Sequence, residues 1–156
     1  MDNTLRNFEQ VKDVLDYGIE LHHQLRALYD NLSQHSDQKR VQLVLDYLSR
    51  HERNRAAALS RFEQASQRGS LEVWLQFAPT REIEQRLADC AIRPDMTVED
   101  VIRTALAFDD ALIAIYREAA READDTHARA LFENLAEMEE QEKRRFIRDV
   151  GWLEDV

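Results

Sequence analysis

The chain has 156 residues and a formal net charge of −10, with 31 acidic against 21 basic side chains. That balance argues against a nucleic-acid backbone or an anionic membrane as partner, and the single cysteine, Cys90, excludes an intramolecular disulfide framework. Three glycines, two prolines and 33% charged residues suit one domain of long helices with solvated faces, and count against a sheet protein.

Met1-Asp2-Asn3 opens straight into a polar amphipathic pattern without a secretory leader, and no apolar run approaches the roughly 20 residues of a membrane span, so a cytoplasmic location is expected. The first helix is predicted over 4–34, with an apolar row of Leu15, Gly18, Leu25, Tyr29 and Leu32 broken by His22. Ser36-Asp37 makes the turn and caps a second helix over 37–66. Its row of Val41, Leu45, Leu48, Leu59 and Phe62 is broken by Glu52 and Arg55. Residues 67–96 read as a long crossover containing Gly69-Ser70, Trp74, Leu75, Phe77, Pro79, a short helix at about 81–90, and Pro94. Trp74 and Phe77 are expected to plug one end of the core or cover a helix face, as buried aromatics generally do.

Thr97 and Asp100 resemble a capping box opening a third helix over 97–123, in which Ile102, Ala105, Leu112, Tyr116 and Ala119 are broken by Asp109. A fourth helix over 126–150, with Gly151 as its stop, carries Ala128, Phe132, Leu135 and Phe146, broken by Glu139 and Glu142. Rows stepping by threes and fours are bundle seams. Short links make helices 1/2 and 3/4 antiparallel neighbours. The expected architecture is all-α: an antiparallel four-helix bundle of two helical hairpins with a long crossover between helices 2 and 3.

The polar breaks repeat. A shift of 87 residues lays His22 on Asp109, Tyr29 on Tyr116, Glu52 on Glu139 and Arg55 on Glu142, and also matches Leu25 with Leu112 and Leu48 with Leu135. The two hairpins therefore read as related by a pseudo-twofold axis. A carboxylate in a bundle seam is costly unless a cation, a hydrogen-bond network or a metal pairs it. Six interruptions on four helices point to one shared polar site.

Two hairpins, a long crossover and a tyrosine seven residues after a ligand-type residue resemble the ferritin-like superfamily, and its rubrerythrin-like branch most closely. The matching stretch runs from Ala107 to Phe146 and contains Asp109, Tyr116, Arg129-Ala130-Leu131-Phe132, Leu135-Ala136 and Glu139. The resemblance implies two irons held by a Glu from helix 1, a Glu from helix 3 and a Glu-x-x-His from each of helices 2 and 4. Those positions are here His22, Asp109, Glu52-Arg53-Asn54-Arg55 and Glu139-Glu140-Gln141-Glu142. Both bridging carboxylates are present and neither i+3 histidine is, so the di-iron site is degenerate.

Arg55 has no lone pair to give a metal. The half-site of His22, Glu52, Glu139 and Arg55 is expected to be empty of metal, with Arg55 paired to Glu139 or Glu52. The other half-site, Asp109, Glu139, Glu142 and a bridging Glu52, is an oxygen set suited to one Fe, Mn or Mg ion. Four carboxylates against Arg55 and a neutral His22 leave a charge of about −3, to be met by a divalent ion or by raised carboxyl pKa values. Arg55 bridging Glu139 and Glu142, with His22, Tyr29 and Tyr116 as hydrogen-bond partners, is the metal-free alternative. His23 and His51 sit beside core positions, from which they could approach the site, although flanking positions usually face neighbouring helices or solvent, and His35 and His127 lie at the hairpin ends.

Three functional readings follow. The first is a degenerate ferritin-like protein binding at most one divalent metal. The second is a di-metal carboxylate oxidase or peroxidase of the rubrerythrin kind, supplied with electrons by a partner because no Cys-x-x-Cys pair exists. The third is a metal-free helical interaction module. Whether the chain is an enzyme, and which protein it meets, is not written in these motifs. A homodimer through an apolar patch of Trp74, Phe77 and Trp152 is expected.

Overall fold

The computed structural model describes residues 8–79, 85–86, 93 and 95–154. Strand β1 (Phe8–Gln10) leads into α1 (Val11–His35), and a three-residue turn connects it to α2 (Lys39–Ala65). A single turn, α3 (Arg68–Leu71), and strand β2 (Trp74–Phe77) follow. The long helices α4 (Val98–Glu122) and α5 (Thr126–Glu154) complete the chain. The two hairpins α1–α2 and α4–α5 carry the most extensive packing, giving the all-α bundle expected. No described helix is long and apolar enough to cross a membrane.

The helix ends differ from the sequence reading for local reasons. The first helix begins at Val11, not near Thr4, because Phe8 enters the core as part of a strand. Its ring lies 6.0 Å from Phe77 and 5.2 Å from Tyr17. The Gln10 amide then donates to Asp13 at 2.9 Å and the Val11 amide to the Val73 carbonyl at 3.1 Å, which fixes the helix start. β1 and β2 pair antiparallel, with Phe8 opposite Phe77 and Gln10 opposite Trp74 across a bulge. The second helix starts at Lys39 rather than 37, after Ser36 Oγ has accepted the Gln38 amide at 3.3 Å.

The expected capping box is present. The Asp100 amide donates to Thr97 Oγ1 at 3.1 Å and the Thr97 amide to Asp100 Oδ2 at 3.4 Å. Asp125 accepts the Ala128 amide at 2.9 Å and caps α5. Gly151 does not stop that helix but lies within it. A glycine in a helix costs only about 1 kcal/mol, which flanking turns can outweigh. The short helix expected at 81–90 lies outside the described residues except for Gln85 and Arg86, which are helical, and Cys90, Pro94 and the Trp152 side chain also lie outside them.

The apolar core is in two parts. One gathers Leu15, Leu59, Phe77, Leu112, Tyr116 and Phe132 beneath the β-ribbon. The other gathers Leu25, Tyr29, Leu45, Leu48, Ile102 and Phe146 towards the opposite end. Phe77, at 1% exposure, is core and not surface, which removes it from the expected dimer patch, whereas Trp74 is 67% exposed. Between the two apolar clusters lie the polar breaks.

Candidate metal centre

Each long helix delivers a polar side chain to the gap between the two apolar clusters. His22 of α1, Glu52 and Arg55 of α2, Asp109 of α4 and Glu139 of α5 are all at or below 5% exposure. They occupy seam positions because the helices that carry them are otherwise apolar on those faces, so packing the rows together forces these five inward. Sequence reasoning placed all five here.

His22 is the hub. Its Nδ1 makes a short hydrogen bond with Glu52 Oε2, and its Nε2 lies 3.6 Å from Glu139 Oε1. Burial alone would lower the His22 pKa, but the Glu52 and Glu139 carboxylates outweigh it and carry it up to about 10. His22 is therefore an imidazolium at neutral pH, not the neutral ring expected from sequence. Arg55 grips Glu139 along both oxygens. Nη2 approaches Oε1 at 2.6 Å as an ion contact without hydrogen-bond alignment, and Nε donates to Oε2 at 3.3 Å. Burial would raise the Glu139 pKa, yet His22 and Arg55 together hold it at about 2.

Two cations thus face two carboxylates, Glu52 and Glu139, and their charges cancel. Asp109, fully enclosed, has its pKa pushed well above the ordinary value by burial and then by Glu52 and Glu139. With His22 charged, the same four carboxylates carry an excess of about −2 rather than the −3 expected from sequence, and the raised Asp109 pKa acts to reduce it further.

Glu142, expected as a ligand beside Asp109, is not part of the one group of clustered donors among the described residues. Its carboxylate lies 3.9 Å from Arg55 Nη1 and 3.4 Å from Arg145 Nη1, with the side chain 27% exposed. The group that does reach Asp109 is His51, whose Nε2 is 4.0 Å from Asp109 Oδ2. Its ring packs 5.2 Å from Phe146 and 6.4 Å from Tyr47. Burial lowers the His51 pKa, which keeps a lone pair free. Sequence reasoning put His51 on a flank from which it could approach the site, and left it out of the ligand set. The available signal was the row Tyr47, His51, Arg55 at intervals of four, which enters the seam at Arg55 and so puts His51 one turn from it on the same side of the helix. His23, His35 and His127 are exposed and take no part.

Tyr116 and Tyr29 lie on either side of the polar layer, one in each apolar cluster. The Tyr116 hydroxyl rests on the α1 backbone at Gly18, where a Cβ would collide with it. Burial, then the Glu139 charge, holds that hydroxyl protonated well beyond its ordinary range.

Metal fit can be tested on the donors themselves. His51, Glu52 and Asp109 offer three ligand atoms all within 4.8 Å of one another, and one such group occurs among the described residues. Donors about 2.0–2.2 Å from a shared ion stand about 3–4.4 Å apart, so a small inward adjustment encloses one cation. On the other side, Arg55 lies along both oxygens of Glu139, and His22 is hydrogen-bonded to Glu52 Oε2.

No protein-family model matches the sequence, and no curated protein is significantly similar to it. Among solved structures the chain is similar to a crystal structure from Thermotoga maritima provisionally described as a ferritin-like diiron-carboxylate protein. The identity is 18%, the match covers 93% of this chain and 96% of that one, and the TM-score is 0.55. At this identity the likeness concerns the fold, which is ferritin-like.

Proposed function

We propose that this chain is a rubrerythrin-like member of the ferritin-like superfamily in which the di-iron site is degenerate. One half is occupied by an Arg55–Glu139–His22–Glu52 ion network. The other holds at most one divalent cation, through His51, Glu52 and Asp109. The observation that carries the reading is the Arg55 guanidinium lying along both oxygens of Glu139. The description of the Thermotoga maritima protein as a diiron-carboxylate protein supports the ancestry of the layer, but not its present activity.

The donor set modifies the metal preference expected from sequence. One imidazole and two carboxylates suit Fe²⁺, Mn²⁺ or Zn²⁺ more than Mg²⁺, which prefers oxygen and water. When bound, such an ion supplies Lewis acidity and, for iron or manganese, access to one-electron chemistry. Asp109 must release its proton for the ion to enter, so affinity rises with pH. The buried ion network, by contrast, holds His22 and Arg55 fixed and gives them no open coordination position.

The test is metal stoichiometry. Protein freed of metal and titrated anaerobically with Fe²⁺ should bind no more than one equivalent, and Arg55→His, which restores an i+3 nitrogen after Glu52, should gain affinity or a second equivalent. Two tightly bound irons in the unaltered chain, giving an oxygen-sensitive absorbance, would establish the di-metal oxidoreductase instead.

A further inference from the structure

A second site opens on the outer side of the polar layer. A surface pocket of about 400 Å³ lies between α2 and α5, with Arg55 and His51 in its lining. Although the chain carries ten negative charges in excess, this pocket reverses the sign. Arg50, Arg55, Arg61 and Arg145 line it against two carboxylates, Glu142 and Asp149.

Both carboxylates already have partners. Glu142 meets Arg145 at 3.4 Å and Arg55 at 3.9 Å, and Asp149 accepts the Tyr47 hydroxyl at 2.8 Å. Among the described residues neither Arg50 nor Arg61 enters an ion pair. Two exposed guanidinium groups are thus left facing a concavity whose lining also includes the buried Arg55.

Spacing sets the shape of what fits. Arg50 and Arg61 are eleven residues apart on α2, so their backbones are separated by about 16 Å, with Arg55 between them at about 7.5 Å and 9 Å along the axis. Both arginines line the pocket, and the short side chains of Asn54 and Ala58 line it between them. A single small anion can meet one end of this row but not both. Planar guanidinium groups favour carboxylate or phosphate oxygens taken two at a time.

We infer that the α2–α5 pocket is a binding site for an elongated small molecule carrying two anionic groups, one held by Arg50 and the other by Arg61, across the face of Arg55. The shared chemistry is that of a dicarboxylate or a condensed phosphate. The assignment does not rest on the metal reading: Arg55 and His51 also line the pocket, but Arg50 and Arg61 belong to neither the ion network nor the His51–Glu52–Asp109 group.

The experiment is isothermal titration of the full chain, freed of metal and with chelator removed, using glutarate, inorganic pyrophosphate and inorganic phosphate as probes at low ionic strength. At least one two-ended probe should bind at or below millimolar concentration and at least tenfold more tightly than phosphate. The Arg50→Ala/Arg61→Ala protein should lose at least tenfold of that affinity, while its circular dichroism and its Fe²⁺ stoichiometry stay unchanged. Absence of binding by every two-ended probe at 10 mM would overturn the site, as would affinity that the double substitution leaves intact. Phosphate binding as tightly as the longer probes would overturn the two-ended assignment. None of these outcomes alters the metal titration, so the two proposals fail separately.

Discussion

Replacing Arg55 by alanine removes one member of an ion pair whose side chains are 4% and 3% exposed. Among the described residues, Glu139 would then keep His22, at 3.6 Å, and Glu142 would keep Arg145 as charged partners. Breaking a buried pair from one side costs about 3–5 kcal/mol, because the remaining charge stays desolvated, whereas an exposed pair is worth about 1 kcal/mol or less. With a urea dependence of about 2 kcal/mol per molar, typical of a small domain, the midpoint should fall by about 2 M without a change in slope. The apolar double replacement Arg55→Met/Glu139→Leu removes both charges and should recover most of the loss. Equilibrium urea unfolding followed by circular dichroism on metal-free protein reads all three chains. A fall of less than about 1 kcal/mol for Arg55→Ala would place that guanidinium in effective contact with water. It would then remove the reason for excluding a metal from its half of the site.

Three further outcomes follow from the same layer. For His22, whose folded pKa of about 10 exceeds the ordinary 6.5, stability is fully present below pH 6.5 and is lost as pH rises through 10. For Glu139, held near 2 against 4.5, it is present above pH 4.5 and lost as pH falls through 2, so these two groups together contribute most between about pH 4.5 and 6.5, and urea midpoints for His22→Gln should flatten the alkaline limb. Asp109, raised by burial, loses its favourable contribution as pH climbs above 3.8, so Asp109→Asn should stabilise the metal-free chain at pH 8 while abolishing metal uptake, read by thermal melts and metal analysis. Gly18→Ala would ordinarily gain helix propensity, but its Cβ meets the Tyr116 hydroxyl in a ring at 0% exposure, so a loss of about 1–3 kcal/mol is expected, and Tyr116→Phe in the same chain should relieve it.

The bundle and the five buried polar residues were legible because both are written in one periodicity. A row that is apolar at threes and fours announces its helix, and the same row announces any residue that breaks it. The β-ribbon was not legible, since three residues at Phe8 and four at Trp74 are too short to show alternation, and their pairing depends on a contact across more than sixty residues. His51 was missed for a related reason. It lies one step off the seam, and only the angle at which α5 meets α2 decides whether that step faces a helix or solvent. The charge of His22 was misjudged because a protonation state belongs to an environment, here two carboxylates on two other helices, and not to a residue type.

In the repeat His22 corresponds to Asp109 and Arg55 to Glu142, so the first hairpin carries cations where the second carries carboxyls. Two identical acidic halves would repel and require metal between them. Here Arg55 reaches from α2 to Glu139 and Glu142 on α5, and His22 reaches from α1 to Glu139, so every one of these ion contacts joins one hairpin to the other. On the proposed reading, the layer that in a symmetric site needs two divalent ions to hold four carboxylates together closes with the chain's own charges. Association of the hairpins should therefore respond to pH through His22 and Glu139, and be indifferent to chelators. A chelator-induced loss of helicity would show that metal, and not Arg55, holds the halves together.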